Sequence, residues 1–86
     1  MTPKQRQAKL TTIKALIESF GFHQDRYGNY KNILNEQEYR IKIKKVNIRI
    51  EKKFSHGWFK IMSKPFSSLP IEYLAKWLTK FQPTND

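Results

Sequence analysis

Leu10, Ile13, Leu16, Ile17 and Phe20 recur at spacings of three and four along the chain, the period of one apolar stripe on a helix. The spacing predicts a helix over residues 4–20, with Lys9, Thr12, Lys14 and Ser19 outside the stripe. Thr2 or Thr11 can start it, Pro3 suits a first helical position, and Gly21 stands where a helix stops. The pattern then loosens. Tyr27-Gly28-Asn29 is turn chemistry, residues 30–34 allow a strand, and Asn35-Glu36-Gln37-Glu38 is a polar break.

From residue 38 to 53 the period becomes two. Tyr39, Ile41 and Ile43 alternate with Arg40, Lys42 and Lys44, and Val46, Ile48 and Ile50 alternate with Asn47, Arg49 and Glu51. That is the pattern of half-buried strands. Its phase slips by one residue at Lys44-Lys45. A slip sends apolar side chains to the wrong face unless the chain turns or bulges there. A two-residue hairpin loop pairs Ile43 with Val46, Ile41 with Ile48 and Tyr39 with Ile50, and sets Arg40 opposite Arg49. One long strand with a bulge satisfies the slip equally well. Phe54-Ser55-His56-Gly57 reads as a turn. Residues 58–63 alternate again, with Phe59 and Ile61 facing one way and Trp58, Lys60 and Met62 the other. Lys64-Pro65 closes that strand.

Ser67-Ser68-Leu69-Pro70 supplies a serine cap and a first-turn proline for a last helix. Ile71, Leu74, Ala75, Leu78 and Phe81 mark its buried side, with Tyr73 and Trp77 on a flank. The predicted fold class is α+β: N-terminal helix, three- to four-stranded antiparallel sheet, C-terminal helix, both helices on one face of the sheet. The chain makes one domain, 1–86, with residues 1–3 and 82–86 as frayed termini.

Composition sharpens this picture in two ways. With 86 residues and no cysteine, the core is thin and no disulfide or thiolate metal site braces it. Aromatics, 14% of the chain, supply much of the apolar area. The formal net charge of +10 repels itself in the folded state and points to a polyanionic partner. No stretch approaches the ~20 apolar residues of a membrane span. The polar opening, residues 1–10, lacks the apolar run of a signal peptide. A cytoplasmic protein without membrane contact is expected.

Charge and period combine on the sheet. If the isoleucines face the helices, Arg40, Lys42, Lys44, Arg49 and Lys60 project from the open face, with Trp58 and Met62 as apolar neighbours. Residues 38–64 carry nine basic and two acidic side chains. The candidate nucleic-acid-binding set is Arg40, Lys42, Lys44, Lys45, Arg49, Lys52, Lys53, Trp58 and Lys60. Cations on a rigid sheet match a row of phosphates, and an exposed aromatic offers a stacking platform for bases. An Arg40–Arg49 pair directly across the ladder is destabilising unless an anion sits between them. Exchanging Arg40, Lys42 and Arg49 together for Gln is expected to abolish most binding and leave the fold intact. A plain solvated face is the competing reading of the charges.

Catalysis finds little support: two histidines, His23 and His56, scattered carboxylates, no nucleophile elbow and no glycine-rich phosphate loop. No metal site assembles and no cofactor is implied. The order of elements resembles the topology of the double-stranded-RNA-binding domain, whose lysine cluster opening the second helix is replaced here by Ser67-Ser68-Leu69-Pro70-Ile71-Glu72. The stretch from Ile13 to Phe22, a helix running into Gly21-Phe22, is similar to small toxin ribonucleases of the HicA kind, without their strand histidine after Gly-Ser. Neither likeness carries a functional residue over. The expected function is a small, non-enzymatic domain binding RNA or DNA. One alternative is an adaptor for an acidic protein, or one that dimerises through Trp58, Met62 and Tyr73. Another is a metal-free ribonuclease using His23 or His56.

Overall fold

The computed structural model describes residues 1–80. A helix, α1 (Pro3–Ser19), precedes five strands: β1 (His23–Gln24), β2 (Tyr30–Leu34), β3 (Gln37–Ile43), β4 (Asn47–Phe54) and β5 (Gly57–Pro65). A second helix, α2 (Ile71–Thr79), follows. The strands form one antiparallel sheet in chain order. The α+β reading holds, but the sheet has five strands rather than three or four. The extra one, β1, is two residues long. Too short to show a period, it exists because the Asp25–Asn29 turn folds His23 and Gln24 back onto Lys31 and Tyr30.

Thr2 caps α1 by accepting from the Gln5 amide, while the Gln5 side chain accepts from the Thr2 amide, so two orphan donors are satisfied together. Ile13 and Ile17 of α1 and Leu74 and Leu78 of α2 are fully buried. They share one core with Tyr30, Tyr39, Ile41, Ile48, Ile50 and Met62, which lie on one side of the sheet, and with Phe22, Phe66 and Leu69 from the connections. Lys9 and Arg6 hold α1 to the chain between β5 and α2. The Lys9 ammonium donates to the Phe66 carbonyl at 2.7 Å, and the Arg6 guanidinium lies 4.3 Å from the Phe66 ring centre. α2 begins later than its serines suggest: Pro70 is the cap residue and no side chain bonds the first turn. Phe81 and residues 82–86, assigned above to the helix and to a tail, lie outside the described residues.

Residues 38–53 form a hairpin, in a different register from the one expected. Lys45 and Val46 are the loop, so Ile43 pairs with Ile48, Ile41 with Ile50, Lys42 with Arg49 and Arg40 with Glu51. The difference is two residues. It keeps every isoleucine on the core side, which is why periodicity alone does not detect it. Val46, expected to face the core, is exposed at the turn. A bulge then breaks β5: Ile50 pairs with Met62 but Glu51 with Lys60, leaving Ile61 as the extra residue. The bulge sends Met62 into the core, while Phe59 stays half-exposed against Phe54, edge to face at 5.1 Å. Met62 is therefore not an open-face neighbour of the cations, and Trp58, Met62 and Tyr73 do not make one surface.

Candidate functional site

The side of the sheet away from the core carries three rows of side chains set by the ladder. His23, Lys31, Arg40, Glu51 and Lys60 are successive partners across all five strands. Ile33 and Glu38 pair across β2 and β3, and Lys53 and Trp58 across β4 and β5. Lys42 and Arg49 pair nearer the Lys45-Val46 turn. Six of the nine expected residues thus meet on this face: Arg40, Lys42, Arg49, Lys53, Trp58 and Lys60. Lys44 and Lys45 stand at the turn on its rim. Lys52 lies on the helix side instead, opposite Tyr39, with its ammonium 5.3 Å from the Phe54 ring centre.

Glu51 organises the centre. It is 3% exposed. Arg40 donates to Glu51 Oε1 from Nε at 2.7 Å, with Nη2 at 2.6 Å. Arg49 Nε stands 3.0 Å from Oε2, an ion pair without hydrogen-bond alignment. The anion that a facing Arg40–Arg49 pair would need is therefore supplied by the chain itself. Each guanidinium has five donors in a planar fork, so both keep N–H groups beyond Glu51.

Trp58 lies on this face with the Arg40 guanidinium 4.2 Å from its ring centre and the Lys31 and Lys53 ammoniums each 5.8 Å away. These are cation–π distances. Lys53 also faces Glu38 at 3.6 Å, and Lys31 faces Asp25 at 3.5 Å. Partial burial acts to raise the Asp25 carboxyl, but the Asn29 and Tyr27 amides and Lys31 outweigh it and hold it below the ordinary value. Among the described residues, Lys42 and Lys60 have no carboxylate within ion-pair distance.

His23, Lys31, Asn32, Ile33 and Glu38 line a cavity of about 300 Å³ at the β1–β2 end of the face. Lys31 and His23 were not in the expected set. Their signal is weak because residues 22–37 show no sustained period. His56 sits apart, at the β4–β5 turn with Phe54 and Phe59. Among the described residues no group of three His, Cys, Asp or Glu side chains can hold a metal ion, and no helix is long and apolar enough to cross a membrane. Compared with family models, curated proteins and solved structures, the chain matches none.

Proposed function

We propose that this protein is a nucleic-acid-binding module whose open sheet face docks phosphates and stacks bases. The observation that carries the reading is Trp58: a large ring placed away from the core, with three cations around it at 4.2–5.8 Å. Aromatic platforms inside basic surfaces suit unpaired bases, whose π-faces stack irrespective of sequence. Lys42 and Lys60 add uncompensated charge on either side, and Glu51 pre-orients Arg40 and Arg49 without cancelling both.

The geometry also selects the right test. Removing Arg40 and Arg49 strands a buried carboxylate, so the triple exchange with Lys42 does not leave the fold untouched. Lys42→Gln with Lys60→Gln removes the unpaired cations, and Trp58→Ala removes the platform. Fluorescence anisotropy against single-stranded DNA and RNA, and against the matching duplexes, should show weakened binding for both variants. The salt dependence should flatten by roughly 0.7 to 0.9 in slope per lost phosphate contact. Equal affinity for the wild type and both variants rules out this face.

A second reading is favoured by one feature. His23 shares its cavity with Glu38 and Lys31, side-chain types suited to moving a proton and holding a phosphate without a metal. Incubating a single-stranded RNA with the protein and with His23→Ala tests it. Cleavage that depends on His23 makes the module a ribonuclease, and intact RNA in both samples removes that reading.

A further inference from the structure

A second cationic site lies on the other side of the molecule's edge, where α1 passes the end of the sheet. A cavity of about 180 Å³ opens there between α1, the β1–β2 turn and the β3–β4 turn. Arg6 and Lys14 line it from the helix, and Lys44 and Lys45 from the turn. Gln24 and Tyr30 line it from the sheet. Among the described residues none of these four cations has a carboxylate within ion-pair distance. Glu18 stands near Tyr30: burial, and then the Glu18 carboxylate, push the Tyr30 hydroxyl above its ordinary value. On the open face the chain supplies Glu51 to Arg40 and Arg49 and Glu38 to Lys53, and leaves Lys42 and Lys60 without a carboxylate among the described residues.

We infer that this cleft is a phosphate-binding site, framed by Arg6, Lys14, Lys44 and Lys45. Two observations beyond charge support it. First, turn chemistry does not explain the lysines. A two-residue hairpin loop favours Asn or Gly with positive φ. The β2–β3 loop meets that demand with Asn35 at φ 52° and Glu36 at φ 66°, whereas Lys45 and Val46 have no positive φ. Second, the four cations come from two elements far apart in sequence, and the fold brings them to one concavity against mutual repulsion. An anion there relieves that repulsion and gains charge-assisted hydrogen bonds. The cavity falls below the roughly 300 Å³ at which pockets take drug-sized ligands. It therefore fits a single phosphate group with its waters, not a whole nucleoside. The site does not depend on the open face binding nucleic acid.

The ligand is a phosphate group, whether the terminal monoester or a backbone diester of a nucleotide chain. The test is a ¹H–¹⁵N titration of the full chain with inorganic phosphate, against sodium chloride at matched ionic strength. The amides of Arg6, Lys14, Lys44 and Lys45 should move together along one saturating curve in phosphate and not in chloride. Lys44→Gln with Lys45→Gln, both on an exposed turn, should weaken that curve by about tenfold or more, while Trp58→Ala leaves it unchanged. Short oligonucleotides with and without a 5′-phosphate then separate the two sources. A shift that needs the 5′-phosphate assigns the terminal group, and equal shifts assign the backbone; either supports the site. Chloride-like linear shifts, or a phosphate curve that survives loss of both lysines, overturn it. Nucleic-acid binding that survives Trp58→Ala and Lys42→Gln with Lys60→Gln, with the phosphate curve intact, refutes the Proposed function alone.

Discussion

Replacing Glu51 by Gln separates the two tasks assigned to that carboxylate. The side chain keeps its shape and one neutral acceptor, but the two arginines lose their shared anion. A hydrogen bond to a charged group contributes about 1.5–3 kcal/mol, and breaking a fully buried pair costs about 3–5 kcal/mol. Here Gln can still accept from Arg40, and the arginine side chains are 16% and 33% exposed, so water screens part of the loss. We expect a destabilisation of about 2 kcal/mol. At about 4–8 °C per kcal/mol for a domain of this size, that is a fall of roughly 8–16 °C in melting temperature. Urea denaturation followed by circular dichroism measures it. Binding should respond in the opposite sense. The Arg40–Glu51–Arg49 group carries one net positive charge in the wild type, and the variant frees a second. The slope of log affinity against log salt should steepen by roughly 0.7–0.9, the contribution of one added phosphate contact. Unchanged stability refutes Glu51 as the organiser of the face. An unchanged slope, with stability lowered, refutes the placement of the two guanidiniums against the ligand.

Three further outcomes follow from the described geometry. Asp25 is held below its ordinary value, so its ionised form stabilises the β1–β2 turn above about pH 3.8 and that contribution is lost as pH falls through the lowered folded value; a carboxyl ¹³C titration should place its midpoint below 3.8, and a higher midpoint refutes the turn geometry. Gly57→Ala should cost about 1–3 kcal/mol from backbone strain alone, because φ is 128° and nothing lies within 4 Å of the added methyl; no loss in chemical denaturation counts against that conformation. Lys9→Met keeps the stem but removes the bond to the Phe66 carbonyl, so it should lower stability by about 1 kcal/mol or more and speed hydrogen exchange at the β5–α2 connection, while equal exchange refutes the tie.

Much of the fold is legible in the sequence where one face is buried. The α1 stripe and the alternation through β3 and β4 are both direct consequences of burial, and each names its element. Register is less legible. Sliding the β3–β4 pairing by two residues leaves the same isoleucines inside, so only the actual turn decides whether Arg40 meets Arg49 or Glu51. The bulge at Ile61 hides for a related reason: Phe59, Ile61 and Met62 are all apolar, and nothing in their identity says where the phase breaks. The open-face cations were readable from alternation, as was the outward position of Glu51. Its burial was not, because it depends on Arg40 and Arg49 closing over it from two strands. The cleft of Arg6, Lys14, Lys44 and Lys45 joins a helix to a distant turn, and no local pattern announces that meeting.

The two outer strands differ in length, β1 with two residues and β5 with nine. An open border of backbone amides and carbonyls tempts other chains to zip alongside. Here one border is covered by β1 only opposite Tyr30 and Lys31. The other is kinked at Ile61, set with Lys60 and Lys64, and closed by Pro65, which has no amide to offer. Growth of the sheet into a neighbouring copy is therefore disfavoured at the β5 margin.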